Sequence, residues 1–570
     1  MIKTDDHKTT VKHPDNRILE EGAKVSSNFF QSDIIFRHML KRELSSSGMD
    51  YMLDKLERLG REVATEMDQL SLTADKQGPQ LKKRNFYGET INEITFHPAY
   101  KEMGRIAVKS EMFRVKWLPE LREKFESEIH RLGFASGYLF NLAEVGLYCP
   151  LCMTDGVARL IDRYCEDEDK QRLLEHIYTD DIEALYTGAM FLTEKAGGSD
   201  VGANLVSATH HADRYYLLNG EKWFCSNANA EIIFALARTN PEVKGTRGLS
   251  IFLIEKQKPD GSKNEMEVVR LKDKLGVRSM ASAECILTDT WGKLVGEEGQ
   301  GFKIMTDMIN LSRLYNSISA IGTTRRALIE AYQFLKFRKS FGKRALDHAL
   351  IREKLTELSA LNLANFYITW RAIRALDNAD NGDEKEANLL RLLTPMVKKC
   401  TAENCVYSIR ESMELMGGVG YIEDGVLPKT LRDALVLPIW EGAGNIMTLD
   451  MLRASMKSTG FQVLCEEIQS QLVNSDEKDT LLAALEETVS LSKELIGKDP
   501  EIVESSAKPL FERLTLLAQI AAMMAYRDDE SGQWIDPAIS YLTKQLKPQA
   551  LGLREPFSTE LVEQMIGWCF

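Results

Sequence analysis

No stretch of this 570-residue chain approaches the roughly 18 consecutive apolar residues that a helical membrane span requires. The best candidate, 516–526, is too short, so membrane insertion is not expected. The opening residues MIKTDDHKTTVKHPDN lack an apolar segment and mix acids with their basic residues. They read as neither a secretory signal nor an Arg-rich transit peptide, and residues 1–24 are expected to be a disordered tail. An excess of positive charge is also missing: the net charge is −13, which excludes a general attraction to nucleic acid or anionic membrane, local patches aside. Internal repeats and low-complexity tracts are absent. The nine cysteines are scattered and odd in number, and read as free buried thiols in a reducing, cytoplasmic compartment. Cys149-Pro150-Leu151-Cys152 is a lone CxxC. With no second pair or His cluster nearby it reads as packing rather than a redox centre, and no metal site is expected.

What is present is the composition of an ordinary soluble globular protein, 44% hydrophobic and 28% charged. The length asks for roughly three or four structural units. Apolar residues at three- and four-residue spacing predict helices over 33–41, 49–69, 98–115, 118–134 and 157–168, with 72–96 as a Lys-, Arg-, Gly- and Asn-rich loop. This gives a helical domain over 25–185. From Tyr186 the period changes to two, and Asn219-Gly220 between two apolar runs predicts a hairpin turn. Short strands over 232–237, 249–254, 267–271 and 283–287 complete a β-domain over 186–295.

The helical period then returns over 301–314, 318–338, 351–376 and 385–415, an antiparallel bundle over 296–456. An additional helical domain over 457–570 follows, with helices at 481–496 and 502–526. It carries ten Lys and Arg against nineteen Asp and Glu, a net −9. The predicted fold class is therefore mainly α with a central small β-barrel or sandwich, a four-helix bundle and a C-terminal helical appendage.

One carboxylate stands out. Glu441 lies between Trp440 and the Gly442-Ala443-Gly444 turn, after the apolar run 434–439 and before the helical 446–456. Crowding by aromatic and aliphatic groups disfavours its charged form and raises its pKa toward the range useful to a general base. The competing reading is a glutamate in a helical first turn that merely favours the dipole.

Seven motifs follow in order: Thr193-Glu194-Lys195-Ala196-Gly197-Gly198-Ser199-Asp200, Lys222-Trp223-Phe224-Cys225-Ser226-Asn227, Lys274-Leu275-Gly276-Val277-Arg278-Ser279, Gly299-Gln300-Gly301-Phe302, Arg338-Lys339-Ser340-Phe341-Gly342-Lys343, Gly417-Gly418-Val419-Gly420 and Trp440-Glu441-Gly442. Together they resemble the signature series of the acyl-CoA dehydrogenases, a combination too specific for chance. Asn28-Phe29-Phe30, Phe96-His97-Pro98-Ala99-Tyr100, the wording around Trp440 and the extra C-terminal domain resemble the AidB-like branch of that family.

The resemblance implies FAD as cofactor. Amides near Leu192 and Thr193 and the Thr193 hydroxyl would serve the flavin pyrimidine end, and Ser199 the pyrophosphate. Ser226 stands where the family has a Thr at N5, and Phe224 where a Trp packs on the ring. Arg338, Ser340, Phe341, Gly417 and Gly418 would hold the adenosine end of a neighbouring subunit's FAD, which implies a homo-oligomer, a tetramer built as a dimer of dimers. Ala349, Glu414 and Ala443 depart from the family pattern.

Glu441 takes the place of the family's α-proton base, and Ser312, beside Arg313, fills the alternative base position. Arg313, Trp440 and Gly442 are the expected substrate-side residues. Taken singly, Thr193 and Ser226 read as strand hydroxyls, Phe224 and Phe341 as core aromatics, and Arg338 as a helix-end cation. The implied activity is α,β-dehydrogenation of an acyl-CoA thioester, with an electron-transfer flavoprotein as acceptor. The AidB-like branch is also associated with weak turnover and DNA protection during alkylation stress. The tail's −9 opposes DNA unless Lys544, Lys547 and Arg554 converge, and it opposes a lipid-docking role as well.

Overall fold

A computed structural model of the chain describes residues 25–546. The expected tail over 1–24, together with Lys547 and Arg554, lies outside the described residues. The chain is mainly helical around a central β-domain. Its first part runs through helices Ile34–Glu43, Ser46–Thr65, Met67–Lys76, Pro98–Lys109, Ile129–Phe140, Tyr148–Tyr164 and Asp167–Ile177. Side-chain caps fix several starts: the Asn28 carbonyl oxygen accepts from the Phe30 amide at 3.0 Å, and the Ser45 hydroxyl from the Gly48 amide at 3.0 Å.

Two stretches differ from the sequence reading here. The 72–96 interval is not a loop: it completes the Met67–Lys76 helix and forms an antiparallel hairpin, β1 (Gln80–Arg84) and β2 (Thr90–Thr95). Its Leu81 and Ile94 pack on the β-domain core while Lys82 and Arg84 stay largely in solvent. One core-packed apolar residue on each strand, Leu81 and Ile94, was too faint a signal against so polar a composition. The helix expected from 157 starts at Tyr148. Pro150 sits in its first turn, where a missing backbone N–H costs nothing.

The β-domain contains β3 (Gly188–Phe191), β4 (Ser207–Ala212), β5 (Tyr215–Ser226), β6 (Ile232–Arg238), β7 (Leu249–Glu255), β8 (Met266–Leu271) and β9 (Ser282–Val295). Pairings β6–β4, β4–β5, β5–β9, β9–β7 and β7–β6 close a ring, with β3 added parallel to β6 and β8 antiparallel to β9. The expected Asn219-Gly220 turn is overturned. β5 runs through it without reversing, antiparallel to β9 on both sides, and only the register shifts between Leu218 and Gly220. Gly220 has φ +139°, and a Cβ there would lie 2.8 Å from Val206 Cγ2, so the glycine makes a bulge against a neighbouring chain segment.

The bundle is built from Gly301–Phe337, Ala349–Asp380 and Glu384–Met416, followed by the shorter Leu427–Ala434 and Gly444–Lys457. The first is one continuous helix of 37 residues, not the two expected. Residues 314–318 contain no Gly or Pro and are buried, so nothing breaks the hydrogen-bond ladder.

Four further helices, Gly460–Leu472, Lys478–Glu494, Pro500–Ala525 and Gly532–Thr543, lie against the bundle and the first helices. Trp534 Nε1 donates to Tyr367 Oη at 2.9 Å, Arg371 pairs with Glu467 at 2.7 Å, and His38 meets Asp528 at 2.9 Å. One apolar core is continuous from the first helices through the bundle into this appendage, and a second fills the β-domain. Among the described residues no helix is long and apolar enough to cross a membrane. The eight cysteines there are all unpaired thiols.

Candidate active site

Glu441 is held in a turn whose backbone is gripped from two helices. Asn316 Nδ2 donates to the Leu437 carbonyl at 3.1 Å, and Arg313 Nε to the Glu441 carbonyl at 3.1 Å. Lys398 Nζ, from the Glu384–Met416 helix, donates to the Gly442 carbonyl at 2.6 Å. Glu441 has φ +57°, a left-handed conformation that a non-glycine residue adopts only when its surroundings impose it. The helix after it begins at Gly444 with no acid in its first turn, so Glu441 is not a dipole-favouring helical residue.

Burial pushes the Glu441 carboxyl above the ordinary carboxylate range; the Ser312 hydroxyl, Arg313 and Lys398 pull it back in part. Desolvation wins, the direction a general base requires. Ser312 itself is buried with its hydroxyl on the Ile309 carbonyl at 2.8 Å, and carries no base function. Arg313, expected beside the substrate, also directs Nη1 to Asn310 at 3.1 Å and to Asp450 at 2.7 Å. Its Nε serves the turn that carries the carboxylate, and its Nη1 ties together the helices on either side of that turn. Trp440 is half-buried, and its indole N–H is enclosed without a hydrogen-bond partner among the described residues.

The Tyr148–Tyr164 helix supplies an opposing wall. Burial pushes the thiols of Cys149 and Cys152 up, Cys149 to about 12, and the Glu441 charge adds to both shifts. The CxxC is thus a pair of neutral thiols facing the carboxylate. Sequence reasoning placed it in the packing and missed this position, because only the fold brings residue 149 near 441.

The second cluster surrounds the turn after β3. Trp223 N donates to the Thr193 carbonyl at 2.9 Å, and Asn204 Nδ2 to the Leu192 carbonyl at 2.7 Å. Glu194, buried, accepts from the Leu205 amide at 2.5 Å and from Lys222 Nζ at 2.7 Å. These bonds fix the turn while leaving donors open: among the described residues the hydroxyls of Thr193, Ser199 and Ser226 have no hydrogen-bond partner. Phe224 is 55% exposed, so it is not a core aromatic. Free hydroxyls along a rigid turn beside an exposed aromatic ring fit the pyrimidine end and phosphates of a flavin dinucleotide.

A third group lies on the surface. Arg338 is exposed, Ser340 Oγ meets His348 Nε2 at 3.1 Å, and Phe341 is 98% exposed at the tip of a two-residue hairpin. Phe341 is therefore no core aromatic either. Among the described residues, and leaving aside its immediate chain neighbours, a Cβ built on Gly417 or Gly418 would meet nothing within 4 Å. These five residues share no hydrogen bond or ion pair with Leu192, Thr193, Ser199, Phe224 or Ser226 among the described residues. Sequence reasoning missed Lys398, Glu194 and Lys222 as functional positions. Lys398-Lys399 interrupts an otherwise apolar helical stretch, and that was the available signal.

A central β-ring between helical units, with a desolvated carboxylate at the bundle's end, defines the architecture of the flavin-dependent acyl-CoA dehydrogenases. Family descriptions match accordingly: "Acyl-CoA dehydrogenase, C-terminal domain" over residues 299–456, "Acyl-CoA dehydrogenase, middle domain" over 189–290, and "Adaptive response protein AidB N-terminal domain" over 22–182. The putative acyl-CoA dehydrogenase AidB of Escherichia coli is 30% identical over 485 residues, 83% of this chain and 86% of that protein. The chain belongs to the acyl-CoA dehydrogenase family, in its AidB-like branch.

Two solved structures are similar. That of Caenorhabditis elegans ACDH-11 in complex with C11-CoA has a TM-score of 0.84 at 25% identity, covering 95% of this chain and 94% of that one. An acyl-CoA dehydrogenase of Bacillus anthracis complexed with FAD has a TM-score of 0.70 at 18% identity, covering 89% and 87%, a likeness of fold alone.

Proposed function

We propose that this chain is an FAD-dependent dehydrogenase that introduces an α,β double bond into an acyl-CoA thioester. The observation that carries this is the Glu441 turn: a carboxyl with raised proton affinity on a backbone gripped at residues 437, 441 and 442. Glu441 removes the α-proton, and its backbone N–H polarises the thioester carbonyl so that charge developing on that oxygen is stabilised. FAD, when bound, would supply the acceptor for the β-hydride. Thr193 and Ser226 would hydrogen-bond its ring, Ser199 its pyrophosphate, and Leu192 would offer its amide beside the ring. Phe224 would face the ring as a smaller wall than a Trp. Trp440 and Gly442 flank the base where the acyl group would enter.

Arg338, Ser340, Phe341, Gly417 and Gly418 would contact the FAD of a second copy, which makes the active form an oligomer, a tetramer as a dimer of dimers. The family membership and the C11-CoA complex of ACDH-11 favour an acyl-CoA substrate. The acceptor of the electrons would be an electron-transfer flavoprotein, and the compartment the cytoplasm. In this scheme 25–185 and 296–456 wall the acyl site, 186–295 holds the flavin, and the described part of the C-terminal domain, 457–546, braces the bundle.

The test is anaerobic bleaching of the flavin absorbance by a panel of acyl-CoAs. Reduction by at least one chain length is expected, and a panel that leaves the flavin oxidised throughout rejects the dehydrogenase. The match of residues 22–182 to the AidB N-terminal domain favours a second reading, a stress-protective flavoprotein of low turnover that binds acyl groups or DNA. DNA titrations at two salt concentrations decide the DNA binding: no affinity at low salt dismisses it.

A further inference from the structure

Lys398 and Lys399 are neighbours on one helix with opposite fates. Lys399 makes an ordinary pair with Glu403 at 2.8 Å, four residues on. Lys398 is turned inward, 1% exposed, with its ammonium on the Gly442 carbonyl at 2.6 Å. Among the described residues no carboxylate lies within ion-pair distance of it. Burying an ammonium without a counter-ion is unfavourable, and burial lowers Lys398 to about 8. The strongest influence in the other direction is the charge of Glu441.

We propose that Lys398 is a positioning residue of the acyl site, fixing the 441–442 turn through the Gly442 carbonyl and, together with Ser312 and Arg313, lowering by its charge the pH at which Glu441 becomes available as a base. The inference rests on Glu441 being that base. Arg313 holds the preceding carbonyl and also favours the charged form of Glu441, but it shares its charge with Asp450 at 2.7 Å. Lys398 has no such competing carboxylate.

The other groups facing Glu441 are Ser312 from the Gly301–Phe337 helix, and Cys149 and Cys152 from the Tyr148–Tyr164 helix. Both thiols are pushed up by burial and stay neutral. Lys398 in turn faces Glu441, Arg313 and Glu403. When Glu441 takes up a proton, Lys398 loses its nearest compensating charge and holds its own proton less tightly. The charge of each therefore favours the charged form of the other.

The experiment uses the full-length, FAD-loaded protein with Lys398→Met, Lys398→Gln and Lys398→Arg. Each is compared with its own Glu441→Gln double variant by infrared difference spectroscopy, which isolates the Glu441 carboxyl titration without substrate. Removing the charge should raise the carboxyl midpoint by about one pH unit in the Met and Gln variants. The acid limb of flavin bleaching by acyl-CoA should move the same way, and the Arg variant should keep both near wild type. If the Met variant does not fold, the Gln variant carries the comparison, since its amide can still reach for the Gly442 carbonyl. An unshifted carboxyl midpoint in the uncharged variant overturns the inference. Failure of the base assignment appears separately, as bleaching that survives Glu441→Gln, while the carboxyl midpoint still reports on Lys398.

Discussion

Glu194 and Lys222 form a buried ion pair, Oε1 2.7 Å from Nζ, that joins the turn after β3 to the middle of β5. Their side chains are 5% and 0% exposed. The Glu194 carboxylate also takes the amides of Leu205 and Val206, so one buried acid ties together three chain segments around the candidate flavin turn. Its neighbours Thr193 and Ser199 remain free to bind a ligand because this acid, and not they, satisfies the local backbone.

Lys222→Met should therefore destabilise the protein by about 3–5 kcal/mol, because Glu194 is left charged, buried and unpaired. The double variant Glu194→Met with Lys222→Met should recover much of that loss. Urea unfolding of the four proteins in a double-mutant cycle checks it, and simple additivity of the two losses would show that the pair is not coupled.

Glu441→Gln should abolish flavin bleaching by acyl-CoA while FAD stays bound. The sign of the stability effect follows from burial. The folded protein holds the Glu441 proton more tightly than the unfolded chain, so the ionised carboxyl costs stability above the folded pKa, and that cost is relieved as pH falls through it. Glu441→Gln should consequently stabilise the fold at neutral pH, with a gain that shrinks on acidification. Urea unfolding across the acidic to neutral range checks this, and the acid limb of wild-type bleaching should lie above the ordinary glutamate value of about 4.3.

Gly442→Ala tests the turn without touching the carboxylate. Gly442 has φ +105°, and an added Cβ would come within 2.5 Å of Met447 Cε. A loss of about 1–3 kcal/mol is expected from backbone strain. A fall in bleaching rate of about 10²-fold should accompany it, since the base is displaced. Thermal unfolding and stopped-flow reduction read the two effects separately.

Phe341→Ala separates stability from cofactor binding. The ring is 98% exposed in the chain, so its loss should change monomer stability by less than about 0.5 kcal/mol. If the ring covers the adenosine end of a second copy's FAD, flavin retention on dilution should nevertheless fall about tenfold, a loss of one tightly packed contact. Fluorescence of released FAD after ultrafiltration measures it. Unchanged retention would remove Phe341 from the cofactor site.

Of the candidate site, the proposal of Glu441 came from the sequence: an acid between Trp440 and a glycine turn, in the order of the family motifs. Burial raises its pKa in the direction expected, although not every residue of the apolar run takes part. Of the preceding apolar run, Leu437 is buried but Ile439 points largely to solvent. The neighbours that hold and tune the turn are instead Ser312, Arg313 and Lys398 from two bundle helices. Residues separated by 43 and by 128 positions cannot be paired by local pattern.

By itself the sequence determined the element types wherever a period ran long enough to be unambiguous, as in Ala349–Asp380 and Glu384–Met416, because side-chain periodicity is a local consequence of burying one face. It also supplied the candidates for chemistry, since a carboxylate or hydroxyl is present whatever the fold. Tertiary structure alone decided what short signals meant. Asn219-Gly220 became a bulge because Val206 packs against it and β9 continues on both sides, and the polar 72–96 stretch became a hairpin because Leu81 and Ile94 find the β-domain core. It also decided which charges were spent: Arg313 on Asp450, Lys222 on Glu194, and Lys398 on a single carbonyl beside the base. The electrostatics of a buried group depend on what is brought close in space and on how much water is excluded, and neither is written in any local stretch of chain.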